Sequence, residues 1–298
     1  MLTTNSQFKN FFISEIPGDL FTPVLLFKKL QKQCSYAFLL ESVAEHKFRG
    51  RYSLIGLWPD AVWQVTDCQV QLPKHGQITY SEKLAKTAIL PHFRKLLKQT
   101  YLDDFAGLPE IAAGWFGYFG FESITFMDKV KLPNKKALAE VPDALLVRPQ
   151  ITIVFDNLYD KIYLCAPLWK DLETKAIATK RLLLEKILET IQQISFKQSK
   201  IGILPTTSSN CQFSSNLSRS AFHQIVDQAK SHIISGDAFQ FVPSRRLEAD
   251  FTNQPLAFYR ALRMINPSPY MFYCDFPDFT ITGSSPEIMV KTDQGKIT

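Results

Sequence analysis

The chain has 298 residues, 46% of them hydrophobic and 21% charged, which is enough apolar material for a sizeable core and excludes a disordered or fibrous polypeptide. Lys plus Arg is 34 and Asp plus Glu is 28, so the formal net charge is +6; the densest basic stretches, residues 47–51 and 129–136, are short and interrupted and argue against nucleic-acid binding. The cysteines Cys34, Cys68, Cys165, Cys211 and Cys274 are widely spaced with no Cys-x-x-Cys pair, as expected of reduced thiols in a cytoplasmic protein, and no apolar run reaches the length of a bilayer span.

In chain order, Thr22-Pro23 supplies a helix start, and Val24, Phe27 and Leu30 follow at helical spacing within residues 21–40, so a first helix is predicted there. Residues 36–42 and 52–58 read as short apolar strands around a charged connection, and alternation over 61–70 extends the sheet. Residues 150–156 and 161–166 flank Asn157-Leu158-Tyr159-Asp160, a reversal that predicts a hairpin. From Asp171, an N-cap candidate, the pattern turns helical, with Leu184, Ile187, Leu188, Ile191 and Ile194 on one stripe.

Residues 204–220 are rich in Ser, Thr and Asn and read as a surface linker. Phe222, Ile225, Val226, Ala229 and Ile233 then fall on one helical face, with Gly236 placed as a C-terminal cap. An apolar run at 239–242, a short helix over 255–264, strands at 270–275 and 279–283, and a strand, turn and strand at the end complete the elements. Strands and helices do not alternate as βαβ units, so the predicted class is α+β: antiparallel sheets packed as a sandwich with surrounding helices. The expected division is residues 1–203, the linker 204–220, and 221–298.

Three motifs invite chemistry and are better explained by structure. The run from Gly114 to Gly120 lacks the Lys-Ser/Thr ending of a phosphate loop and the spacing of a dinucleotide fingerprint; its glycines are expected to let backbone and aromatic rings approach closely in a strand. His46, His75, His92, His223 and His232 have no metal-ligand spacing, so no histidine metal site is predicted. Gly283-Ser284-Ser285-Pro286-Glu287 lacks the second glycine of a nucleophile elbow and reads as a tight turn. More informative is Asn266-Pro267-Ser268-Pro269-Tyr270-Met271-Phe272, where two prolines fix an extended backbone ahead of a strand; a strand packed into the core and a wall for a small aromatic ligand both fit it.

Phe38-Leu39-Leu40-Glu41-Ser42-Val43, Gly50-Arg51-Tyr52-Ser53-Leu54-Ile55-Gly56, the Gly114 to Gly120 run, Ser235-Gly236-Asp237-Ala238-Phe239-Gln240 and the double-proline block occur in an order that resembles the anthranilate synthase component I family of chorismate-using enzymes. The resemblance covers nearly the whole chain. It implies conversion of chorismate and ammonia to anthranilate and pyruvate in L-tryptophan biosynthesis, a glutamine amidotransferase subunit as the partner that delivers ammonia, and feedback inhibition by L-tryptophan. The implied tryptophan site is Glu41, Ser42, Asn266, Pro269, Tyr270 and Met271, whose carboxylate or carbonyl acceptors, hydroxyl and apolar wall suit an indole amino acid.

Gln240 is the implied position beside the nucleophile. Related enzymes that add water carry lysine there, and a glutamine amide cannot act as the base that water needs, whereas ammonia needs none. The resemblance also implies that the catalytic histidine and the glutamates holding Mg²⁺ lie beyond this sequence, so that these residues alone are inactive. Aminodeoxychorismate synthase component I and a non-catalytic tryptophan-binding module are the competing expectations, and the Pro-Ser-Pro-Tyr-Met-Phe block favours the anthranilate enzyme over the former.

Overall fold

The computed structural model describes residues 10–43, 49–74, 77–102, 105, 107–132, 141–194, 212–293 and 296–298. These form two units, Met1–Lys200 with Phe258–Thr298, and Ile201–Ala257. The grouping departs from the expected division at 221, because a strand late in the chain pairs with one near its beginning and draws residues 258–298 into the first unit. Part of the expected linker, residues 204–211, lies outside the described residues.

The first unit is built on β1 (Phe11–Pro17), β2 (Ala37–Val43), β3 (Arg49–Thr66), β4 (Gln69–Lys74), β5 (Gln77–Lys83), β6 (Phe116–Phe119), β7 (Ala144–Asp156) and β8 (Lys161–Pro167). The second unit holds the short pair β9 (Ser214–Ser215) and β10 (Leu247–Glu248), and the first is completed by β11 (Tyr270–Asp275) and β12 (Thr280–Ser285), with a terminal hairpin of β13 (Thr292–Asp293) and β14 (Lys296–Ile297). Ten of the described strands make one antiparallel sheet in the order β1-β8-β7-β3-β2-β11-β12, with β4 on β3, β5 on β4 and β6 on β7. This is the antiparallel α+β architecture expected of the sequence.

The two expected layers are arms of this one sheet. β3 and β7 pair from Tyr52↔Asp156 to Val65↔Ala144 with a shift between Pro59 and Ala61, and their outer neighbours change along the way. One end borders β2 and β8, the other β4 and β6. Rings then meet between the arms, Phe38 of β2 against Phe116 of β6 at 4.8 Å, and residues from both arms share one buried cluster. The bulge supplies the local twist that lets a continuous sheet curl onto itself. Gly117 serves the same closure as the sequence suggested: a Cβ there would lie 2.0 Å from the Leu145 carbonyl oxygen.

The helices follow local signals with one telling exception. α1 (Pro23–Leu30) is capped by Thr22, whose Oγ1 accepts from Leu25 N at 3.2 Å; it is shorter than residues 21–40 because Ala37 already belongs to β2. α2 (Lys86–Gln99) is an element beyond those predicted, with Pro91 inside it and Ile89 and Phe93 packed under Trp63 and Val65. α3 (Thr174–Gln192) buries Leu184, Ile187 and Ile191 as the stripe predicts, but it starts after Glu173 rather than at Asp171. Asp171 instead accepts from Arg148 Nη1 at 2.9 and 3.0 Å, while Arg148 Nε donates to Asp60 at 2.6 Å and Lys180 Nζ reaches Asp60 at 3.1 Å. Two cations and two carboxylates thus pair beside α3, with Arg148 and Lys180 buried and Asp171 at the exposed edge, so Asp171 is taken up by an ion pair and not by a helix cap.

In the second unit, α4 (Arg219–Ile234) is capped by Ser218, and it ends with Gly236 at φ +81°. Gly236 N donates to Ile233 O and Asp237 N to His232 O, the Schellman pattern that the glycine foretold. The apolar run at 239–242 forms no regular element, and Phe239 and Val242 are 93% and 82% exposed. α5 (Pro255–Ile265) leads through the double-proline stretch into β11. The segment Gly283-Ser284-Ser285, expected as a tight turn, is the end of strand β12: Gly283 faces Phe272 across the ladder, whose ring lies 2.3 Å from where a Cβ would stand.

Candidate ligand cavity between β2 and β11

The double-proline stretch carries the chain from α5 to a strand that lies directly against β2. The register sets Met271 opposite Glu41, Phe272 opposite Leu40 and Cys274 opposite Phe38. Beside them, Val43 N donates to Ser268 O at 2.9 Å, and Ser284 Oγ donates to Asn266 O at 2.7 Å. A cavity of about 990 Å³ opens on this strand pair, the size of a small-molecule site. Leu40, Ser42, Tyr52, Leu54 and Phe272 wall it on one arm of the sheet, and Trp115, Phe116 and Tyr118 on the other.

Five of the six residues proposed from sequence for tryptophan, Glu41, Ser42, Pro269, Tyr270 and Met271, border this one cavity. Asn266 does not line it; it closes α5 by donating its N–H to Leu262 O at 2.8 Å and offers its carbonyl to Ser284. Gln240 belongs to the second unit, exposed on the irregular chain between α4 and β10.

Strand alternation divides the cavity residues further, since neighbouring side chains on a strand point to opposite faces. Phe38 and Leu40, with Cys274 and Phe272 opposite them, face the space between the arms. Leu39 and Glu41, with Tyr273 and Met271 opposite, face α1 and α5, where Tyr273 meets the rings of Phe27 at 5.4 Å and Tyr259 at 5.7 Å. Glu41 is 4% exposed. Its Oε2 accepts from Tyr259 OH at 2.7 Å and from Arg263 Nε at 3.1 Å. Burial, and then the adjacent carboxylate, push the Tyr259 phenol well above its ordinary range, so it remains a donor.

Of the two kinds of ammonium acceptor that the sequence left open, the Glu41 carboxylate is therefore already engaged by α5. Main-chain carbonyls of β2 and β11 are the other. A bulge between Glu41 and Val43 interrupts the ladder beside Ser42, and bulged residues leave main-chain groups outside strand pairing. Ser42 occupies space that Gly50 leaves vacant, for a Cβ on Gly50 would stand 2.0 Å from its Oγ.

Charge enters from the rim. Arg51 borders the cavity, paired with Asp156 at 3.0 Å and stacked over Tyr52 and Tyr159 at 4.8 and 5.2 Å, and Lys291 borders it as well. Lys291 favours an anionic group on the ligand, while the Arg51 charge is already balanced by Asp156 and only its remaining N–H groups are left as donors. Cys274 contributes no nucleophile, because burial pushes its thiol up to about 12. Among the described residues no three His, Cys, Asp or Glu side chains converge to hold a metal ion, so the Mg²⁺ that the resemblance implies finds no fitting ligand set among them. No described helix is long and apolar enough to cross a membrane.

The sequence reading missed Trp115, Phe116 and Tyr118 as cavity wall, treating their glycine-rich run as packing alone; aromatic residues on alternate sides of Gly117 were the available signal. It also missed Tyr259 and Arg263, whose four-residue spacing places both on one face of α5.

A sequence profile described as chorismate binding enzyme matches residues 45–298. Anthranilate synthase component 1 of Neisseria meningitidis serogroup B is 35% identical over 292 residues, covering 96% of this chain and 57% of that protein. The protein of the same name from Cereibacter sphaeroides is 32% identical over 289 residues, again 96% of this chain and 57% of the relative. The crystal structure of anthranilate synthase component I from Streptococcus pneumoniae superposes with a TM-score of 0.65 at 24% identity, covering 95% of this chain and 59% of that one, which is a likeness of fold. The chain spans about 57% of the length of these curated relatives.

Proposed function

Because the chain belongs to the chorismate binding enzyme family, we propose that it is part of an anthranilate synthase component 1, and that the cavity between β2 and β11 is its feedback site for L-tryptophan. The whole enzyme takes chorismate and ammonia to anthranilate, pyruvate and water, with ammonia supplied by a glutamine amidotransferase subunit. The observation that carries the regulatory reading is the register of β2 with β11, which joins Ser42 to Pro269 and Tyr270 around one aromatic cavity.

The chemistry of the cavity suits the ligand. Phe38, Leu40, Phe116 and Phe272 offer an apolar slot for the indole. The Ser42 hydroxyl and the Arg51 guanidinium are donors for the carboxylate, and the ammonium is assigned to main-chain carbonyls of β2 and β11, which are the acceptors left once Glu41 is engaged by α5. Gln240 stands at the nucleophile side of the reaction, where an uncharged amide favours ammonia over water. The described residues supply no ligand set for Mg²⁺.

Thermal melting tests the regulatory reading: L-tryptophan at a hundredfold excess over its Kd should stabilise the chain by about 2.7 kcal/mol, while L-alanine has no effect; equal melting with and without tryptophan refutes it. The purified 298-residue chain is expected to form no anthranilate from chorismate, ammonia and Mg²⁺. Fluorescent product accumulating in that mixture would contradict this expectation.

A further inference from the structure

Glu41 borders the cavity, yet its carboxylate is committed to the opposite face of β2. Two donors one turn apart on α5 hold the same oxygen, Tyr259 at 2.7 Å and Arg263 at 3.1 Å. Neither donor is among the residues that line the cavity. β2 is weakest as a strand at this point, since the bulge between Glu41 and Val43 removes regular ladder bonds just where Ser42 enters the cavity wall. The opposing β11 position, Met271, is 1% exposed and packed on the same side as Glu41.

We propose that Glu41, Tyr259 and Arg263 form a positioning clamp that anchors β2 to α5 and thereby sets the place of Ser42 and the width of the cavity, Glu41 acting through α5 rather than by pairing with the ligand's amino group. The clamp rests on the reading of the cavity as an L-tryptophan site. It makes residues outside the cavity determinants of ligand affinity, and it makes the charge of Glu41 less important than its ability to accept from both donors. A buried carboxylate stripped of one partner is strongly perturbed, whereas an isosteric amide retains an oxygen acceptor.

The test is calorimetric titration of the full chain, well below its melting temperature, with L-tryptophan and with indole-3-propionate, which keeps the ring and the carboxylate and lacks the amine. Arg263→Met and Tyr259→Phe should each weaken both ligands by the same factor, about tenfold for Arg263→Met. Arg263→Lys should recover most of that loss, a rescue that a purely structural role would not give once all variants are compared in the folded state. Glu41→Gln should bind tryptophan within about threefold of the unaltered chain.

Should Arg263→Met not fold, Tyr259→Phe, which removes a single hydroxyl, carries the comparison. Unchanged affinity in the folded clamp variants overturns the clamp and leaves the cavity reading standing. Loss of tryptophan alone in Glu41→Gln, with indole-3-propionate unaffected, also overturns it, because the carboxylate would then be the amine's own acceptor. If the unaltered chain binds neither ligand, the cavity reading fails and the clamp with it.

Discussion

Glu41 illustrates how far a residue's type determines its role. An acidic residue beside a serine is a natural candidate for holding an amino acid, and the position does border the cavity. Which face its side chain takes depends on strand parity, and parity depends on a bulge that no local signal announces. Ser42 borders the cavity, and Gly50 on β3 shows what that placement requires. Gly50→Ala would put a Cβ 2.0 Å from Ser42 Oγ, so it should destabilise the chain by about 1–3 kcal/mol and weaken tryptophan binding. Urea unfolding and titration of the same variant check both effects; an unperturbed Ser42 would leave both values at those of the unaltered chain.

At the scale of elements, local chemistry was readable wherever a cap or a reversal carried it. Thr22-Pro23, Gly236 and the Asn157 to Asp160 reversal all do what their residue types favour. Asp171 did not, because Arg148 binds it, and that contact is invisible in a local window. α2 escaped notice because Pro91 breaks its pattern.

The docking of α2 yields a pH prediction. Trp63 Nε1 donates to His92 Nδ1 at 3.2 Å, the Tyr80 ring stacks on the imidazole at 5.5 Å, and burial holds the His92 pKa below its ordinary 6.5. The folded chain thus resists a proton that the unfolded chain accepts, so this contribution to stability is present above pH 6.5 and is lost as pH falls from there to the folded pKa. The urea midpoint should fall less between neutral and mildly acid pH in His92→Gln than in the unaltered chain; identical pH slopes would contradict the assignment.

For the whole molecule, the class of fold was legible and its connectivity was not. Alternation and turn residues indicated antiparallel strands, but the pairing of β2 with β11 spans more of the chain than any periodicity can register. That pairing returns residues 258–298 to the first unit and creates the cavity. The family resemblance, resting on the Leu-Glu-Ser and double-proline segments, anticipated their meeting without giving a register.

Calorimetric titration of L-tryptophan into the chain and into Ser42→Phe tests the meeting of these segments most directly, since the new ring would fill the slot while leaving the face toward α5 untouched. Saturable one-to-one binding in the first and none in the second, both titrated well below their melting temperatures, is the predicted result. Absence of binding to the unaltered chain, or equal affinity in both, would contradict it.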